Sequence, residues 1–220
     1  MDFTNYKFHP SSVKNLMVKS RTKGELSETT KAYLLELYIK EVWGREKTDT
    51  VGNKYMSKGT MCETDSLELL EKVTGKKLFK NQKTLDNLYL VGTPDVTSPE
   101  LYDIKTSWDI WTYATVDEKQ ARKDYYYQML CYMALTGQNK ATLTYCLTDT
   151  PDSLMHNELQ RLTYYLSEEE VRKYEKNYKF DDVPDNVRVK MFVFDYSEED
   201  YQAVVNAIVE ARKYLAIIEL

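Results

Sequence analysis

Gly92-Thr93-Pro94-Asp95 and, five residues on, Leu101-Tyr102-Asp103-Ile104-Lys105-Thr106 form the stretch on which the fold turns. Leu88-Tyr89-Leu90-Val91 is a short apolar and aromatic run with strand character, ended by Gly92-Thr93-Pro94. Thr97-Ser98-Pro99 is turn chemistry, and 101–106 reads as the next strand. Side chains alternate faces along a strand, so Asp103 and Lys105 point the same way while Ile104 points into the core. The bend at Pro94 brings Asp95 to the mouth of the same hairpin. Two converging carboxylates make a hard oxygen site, suited to Mg²⁺ or Mn²⁺ rather than zinc. The backbone carbonyl of Ile104 is a further oxygen donor. A lysine beside such a site can orient or deprotonate a metal-bound water and offset charge on a phosphate, so the pattern implies metal-assisted phosphodiester cleavage.

A second triplet of the same form, Asp117-Glu118-Lys119, sits in a polar stretch and starts a helix. The apolar strand around Asp103 and the upstream Pro-Asp bend set the first triplet apart. A third carboxylate lies in Ser57-Lys58-Gly59-Thr60-Met61-Cys62-Glu63, which runs into a helix ending near Gly75. Glu63 lies one turn from Leu67 and two from Leu70, along the inward face. Two readings stand side by side: an inward metal ligand, or the second half of a Thr60-x-x-Glu63 capping box. Residues 125–135, Tyr-Tyr-Tyr-Gln-Met-Leu-Cys-Tyr-Met-Ala-Leu, read as a helix buried against the sheet. Gln128 is its polar exception and needs a hydrogen-bond partner: an active-site group, a DNA phosphate or a structural one.

Gly59-x3-Glu63, Thr93-Pro94-Asp95, Asp103-Ile104-Lys105 and Gln128-x3-Tyr132, in that order, resemble the blocks of PD-(D/E)XK nucleases. The likeness is greatest to the phage lambda exonuclease-type, YqaJ-like viral recombinase branch, and covers roughly residues 8–150. His9-Pro10-Ser11-Ser12-Val13-Lys14-Asn15-Leu16-Met17 resembles that branch's first helix. The resemblance implies Glu63, Asp95 and Asp103 as metal ligands, Lys105 as the catalytic lysine, and Ser11 and Gln128 near the bound DNA end. It also implies a trimer and a partner single-strand annealing protein. Two departures stand out. The arginine that relatives place shortly before the serine block is absent; Lys7 lies near that place, and Lys19, Arg21 and Lys23 follow the helix. Neither His9 nor His156 occupies the early metal-ligand position of the RecB-like relatives.

Cys62, Cys131 and Cys146 include no Cys-x-x-Cys pair, and a cluster normally needs four thiolates, so no iron–sulfur cluster is expected. Three cysteines fit reduced thiols in a cytosol. The 220 residues, 42% hydrophobic, suit one α/β (α+β) domain spanning 1–220, with a central mixed sheet between helices. Helices are expected over Glu28–Trp43 and after Ser197, and strands over 141–148 and 187–196. The longest apolar run, 129–135, is too short to cross a bilayer, and Met1-Asp2-Phe3 begins no signal-peptide pattern, so the expected location is the cytoplasm of a bacterial host carrying a phage or prophage.

A net charge of −5 excludes a general polyanion binder. A DNA enzyme of this charge needs a locally basic groove or an enclosing oligomer; Lys14, Lys19, Arg21, Lys23, Lys119, Arg122 and Lys123 are candidates for the groove. Trp108 and Trp111, just past the Asp103 strand, either pack or stack on an unpaired base. Three functions follow: a Mg²⁺-dependent exonuclease on linear duplex DNA serving recombination, an endonuclease or flap nuclease with the same site, or a non-catalytic DNA-end-binding module.

Overall fold

The computed structural model describes residues 2–47 and 54–219. A 3-10 turn at Pro10–Asn15 precedes helix α1 (Glu28–Trp43), which is capped by Ser27 Oγ accepting from Thr30 N and closed by Gly44. Then come α2 (Lys54–Met61), α3 (Glu63–Thr74), β1 (Leu85–Asp86), β2 (Val91–Gly92), β3 (Leu101–Thr106), α4 (Ile110–Ala114) and α5 (Glu118–Thr136). The chain continues through β4 (Lys140–Cys146), α6 (Asp152–Gln160), α7 (Glu168–Glu175), β5 (Val189–Asp195) and α8 (Glu198–Ala216).

The mixed α/β architecture expected from the sequence is the one the chain forms. The order of the three-stranded sheet is β3-β4-β5, with β3 parallel to β4 and β4 antiparallel to β5. Alternation sorts the sheet into two faces. Leu101, Ala141, Leu143, Tyr145 and Phe194 face the larger core, shared with Met129, Leu130 and Met133 of α5 and Val204, Ile208 and Leu215 of α8. Tyr102, Ile104, Cys146 and Val189 face Leu69 and Leu70 of α3 in a smaller core. Asp103 and Lys105 therefore point toward α5, and Ile104 away from it toward α3.

The strand expected over 88–91 is only partly formed: Leu90 bridges Phe8 and Val91 opens β2, while Leu88 and Tyr89 lie in the turn after β1, with Leu88 75% exposed. The cause is Asn87, whose Oδ1 accepts from both Tyr89 N (2.8 Å) and Leu90 N (2.9 Å) and reverses the chain before the apolar run can extend. The other expected elements lie within a few residues of the observed ones: β4 ends at Cys146, β5 begins at Val189, and Ser197 caps α8 by accepting from Asp200 N.

Candidate active site

Val96 and Tyr102 exchange both backbone hydrogen bonds (3.2 and 3.0 Å), pairing the Pro94-Asp95 segment with the outer edge of β3. The next such pair along the ladder would join Ile104 to Pro94. Proline has no N–H to give. Asp95 Oδ2 instead accepts from Ile104 N at 2.7 Å, and the Ile104 carbonyl shares that edge. The carboxylate thus replaces the Pro94 carbonyl, which Asn81 occupies, as acceptor for Ile104 N–H, and the proline leaves unmade the ladder bond to the Ile104 carbonyl. Asn81 holds the bend from behind: its N donates to the Asp95 carbonyl (2.6 Å) and its Nδ2 to the Pro94 carbonyl (2.9 Å). On the other side Gly92 admits Pro10, whose Cδ would lie 2.8 Å from a Cβ at that position.

Asp103 is buried, 2% exposed, at the centre of β3. Its Oδ1 accepts from Gln128 Nε2 on α5 at 2.8 Å. Its Oδ2 has no hydrogen bond of good geometry and lies 2.7 Å from Lys105 Nζ. Lys105 also sits 5.1 Å from the centre of the Tyr125 ring. Burial alone would lower the Lys105 pKa, but the Asp103 carboxylate outweighs it and holds the amine above its ordinary value. Asp95 is pushed up to about 6, first by burial and then by the charge of Asp103, against the opposing Ile104 hydrogen bond and Lys105 charge.

Glu63 opens α3 at the same end of β3. The capping box is not formed: Thr60 lies inside α2, and Cys62, with no side-chain cap, occupies the position before α3. Glu63 Oε2 is instead paired with Lys80 Nζ at 2.6 Å. Glu63, Asp95, Ile104 and Lys105 line one open cleft of about 640 Å³, with Tyr55, Gly59, Thr60 and Tyr125 among its walls.

Asp103 does not itself line the cleft; it lies beneath it against Lys105, and Gln128 is linked to the cleft through that pair. Ser11 does not line it; it lines a neighbouring cavity of about 690 Å³ with His9, Ser12 and Tyr33, and Met56 borders both. Arg21 is exposed and borders neither cavity. Trp108 is 3% exposed, packed edge-on between Tyr55 and Tyr178, and borders the same cleft. Trp111, 67% exposed, is the open indole of the pair. Asp117, in the second triplet, accepts from Gln120 N as the cap of α5. Arg122 pairs with Glu118 and donates to the Val193 carbonyl.

Asn81, Lys80 and Lys58 were not singled out from the sequence. Asn81 reaches 13 residues ahead and Lys80 17 residues back, and nothing in their local spacing marks those partners.

The donors of the cleft are all oxygens: two neighbouring carboxylates, one with a buried oxygen lacking a directed donor, a third within reach and a backbone carbonyl. That set suits a hard divalent cation. Among the described residues no three acidic, histidine or cysteine side chains already stand at a common coordination distance. Glu63 is the outlier, turned to Lys80, and a shared ion requires it to leave that lysine.

No protein-family model and no curated protein sequence matches the chain. Among solved structures, a phage-related exonuclease from Haemophilus somnus 129PT superposes with a TM-score of 0.81 at 24% identity, over 96% of this chain and 94% of its own. An alkaline exonuclease from Laribacter hongkongensis superposes at 0.62 and 16% identity, over 97% of this chain and 89% of its own. The same enzyme in complex with dAMP gives 0.61 at 17% identity, over 96% and 88%. Over nearly its whole length the chain has the fold of these exonucleases.

Proposed function

We propose that the protein is a Mg²⁺-dependent exonuclease that degrades one strand of linear double-stranded DNA, 5′ to 3′, leaving single strands for phage-type recombination. The observation that carries this is that Asp95, Lys105 and Glu63 line one cleft, with the buried Asp103 paired to Lys105 beneath it, within a fold shared with exonucleases. Mn²⁺ would serve in place of Mg²⁺, through Glu63, Asp95, Asp103 and the Ile104 carbonyl. A bound divalent ion supplies an acidified water and offsets charge on the phosphate. The chain's residues do the rest. Gln128 fixes the rotation of the Asp103 carboxyl, Ile104 N–H fixes that of Asp95, and Lys105 holds a positive charge where the phosphate gains a negative one.

With a net charge of −5, retention on DNA is assigned to enclosure by a homo-oligomer, a trimer by resemblance, working with a single-strand annealing protein. Among the described residues no helix is long and apolar enough to cross a membrane, which accords with action in the cytoplasm of a bacterial host.

The test uses linear duplex labelled at the 5′ or the 3′ end beside a closed circle, with Mg²⁺ or EDTA, and with Lys105→Ala in parallel. Metal-dependent loss of the linear substrate alone, absent in the variant, supports the reading, and the label released first gives polarity. Cutting of the circle turns it to an endonuclease. No cutting with Mg²⁺ or Mn²⁺ overturns catalysis and leaves DNA-end binding.

A further inference from the structure

Lys58, on α2, is fully buried. Among the described residues it forms no ion pair. Its Nζ donates to the Trp108 carbonyl (2.9 Å) and the Thr148 carbonyl (2.7 Å) and lies 5.7 Å from the centre of the Phe180 ring. Burial pulls its pKa down to about 8, against partial support from Cys62, Asp149 and Asp109. An interior ammonium with no carboxylate is costly, and an apolar side chain of the same length would fill the space at less expense.

The location of the two carbonyls gives that cost a purpose. Each lies two residues past the end of a strand, Trp108 beyond β3 and Thr148 beyond β4. The parallel ladder of these strands closes with Ser107 N donating to the Cys146 carbonyl at 2.9 Å. Past that rung Thr150 Oγ1 donates to the Trp108 carbonyl at 2.9 Å, and Lys58 takes up the Trp108 and Thr148 carbonyls together. The same residue belongs to the helix that leads to Glu63: Cys62 N donates to the Lys58 carbonyl, Ser66 N to the Cys62 carbonyl, and Cys62 Sγ to the Asp149 carbonyl at 3.4 Å. Gly59 and Thr60, directly after Lys58, line the cleft.

We propose that Lys58 is a positioning residue for the cation site: by clasping the chain beyond β3 and β4 it sets the α2–α3 junction, and so the backbone from which Glu63, once it leaves Lys80, reaches an ion shared with Asp95 and Asp103. The proposal rests on the nuclease reading of those three carboxylates. It assigns Lys58 no contact with substrate or metal.

The experiment measures Mn²⁺ affinity on the full chain without DNA. Parent, Lys58→Met, Lys58→Gln and Lys58→Arg are compared, each alone and combined with Glu63→Gln, with a cooperative melt as the check of folding. Lys58→Met, which keeps the bulk and loses both donors, should weaken Mn²⁺ on the order of tenfold, the usual effect of removing a group that orients a ligand. Lys58→Arg, still able to donate to both carbonyls, should recover part of the loss. In the Glu63→Gln background the Lys58 substitutions should add little, because the ligand they position is already gone.

Unchanged Mn²⁺ affinity in a folded Lys58→Met overturns the proposal, and so does an equal further loss in the Glu63→Gln background, which marks general loosening. If Lys58→Met does not fold, Lys58→Gln decides by the same two criteria. A parent that binds no Mn²⁺ and cuts no DNA overturns the nuclease reading and this proposal together. A parent that does both, with indifferent Lys58 variants, overturns this proposal alone.

Discussion

Gln128 Nε2, on α5, donates to Asp103 Oδ1, on β3, at 2.8 Å across the main core. Both side chains are buried, and the other Asp103 oxygen faces Lys105 without a directed hydrogen bond. The amide thus fixes one carboxylate oxygen and leaves the second against Lys105, which lines the cleft. Gln128→Leu keeps the approximate bulk and removes the donor. It should raise the Mg²⁺ concentration for half-maximal cleavage by roughly tenfold or more, since partners that orient ligands act on metal affinity. Gln128→Glu should be worse, because it buries a second negative charge against Asp103. A Mg²⁺ titration of the cleavage rate checks both. A loss of melting temperature with an unchanged titration would make the hydrogen bond structural only.

The two Asp-x-Lys triplets give a paired prediction. Lys105→Ala should keep the fold and still bind DNA while cleaving orders of magnitude more slowly, each tenfold loss being about 1.4 kcal/mol of barrier. Asp117→Ala should leave cleavage unchanged and lower stability by about 1 kcal/mol, because Asp117 accepts from Gln120 N at the start of α5. Chemical denaturation beside a cleavage assay separates the two effects. Comparable loss of cleavage in both variants would mean the chemistry is not centred on Lys105.

These contrasts show how far the sequence could be read. The 101–106 strand, the shared face of Asp103 and Lys105, the helix start at Ser197 and the buried helix around Gln128 depend on spacings of one to four residues, where alternation and helical period are informative. Asp95 was legible because the fixed φ of Pro94 and its missing N–H mark a bend directly before it. Only the second half of the 88–91 run pairs as a strand, because the Asn87 side chain turns the chain through Leu88 and Tyr89 first. The state of Glu63 was not legible. It depends on Lys80 and on the placement of α2, and α2 depends on carbonyls 50 and 90 residues from Lys58. No local period encodes contacts at that separation.

Asp95 predicts a pH dependence in the metal-free protein. Its folded pKa is raised from 3.8 to about 6, chiefly by burial and next by Asp103. A carboxyl with a raised folded pKa favours the folded state while protonated, and that contribution is lost as pH climbs from about 3.8 through about 6. Above that window, ionised Asp95 opposes folding by no more than about 3 kcal/mol. In EDTA, Asp95→Asn should therefore be more stable than the parent at pH 7.5, with the difference shrinking by pH 5. Adding Mg²⁺ at pH 7.5 should stabilise the parent and not the variant. Thermal melts at the two pH values, with and without metal, test the sign. A parent that outlasts the variant in EDTA at pH 7.5 would refute it.

Lys80 and Glu63 yield the prediction that separates this site from a preassembled one. Their ion pair is at 2.6 Å, with side chains 50% and 37% exposed, so it is worth no more than about 1 kcal/mol of stability. Functionally it matters more, because Lys80 holds the carboxylate that an ion shared with Asp95 and Asp103 would need. Lys80→Met should leave the melting temperature nearly unchanged and lower the Mg²⁺ concentration for half-maximal cleavage, since Glu63 no longer has to be drawn off a lysine. Glu63→Gln should likewise fold normally, yet lose most metal-dependent cleavage, because the amide ligates a hard cation poorly. An Mg²⁺ titration of both variants decides the point. If Lys80→Met needs more Mg²⁺ than the parent, the lysine supports Glu63 rather than competing for it; if Glu63→Gln keeps its cleavage, the carboxylates of β3 and its edge hold the ion without the third.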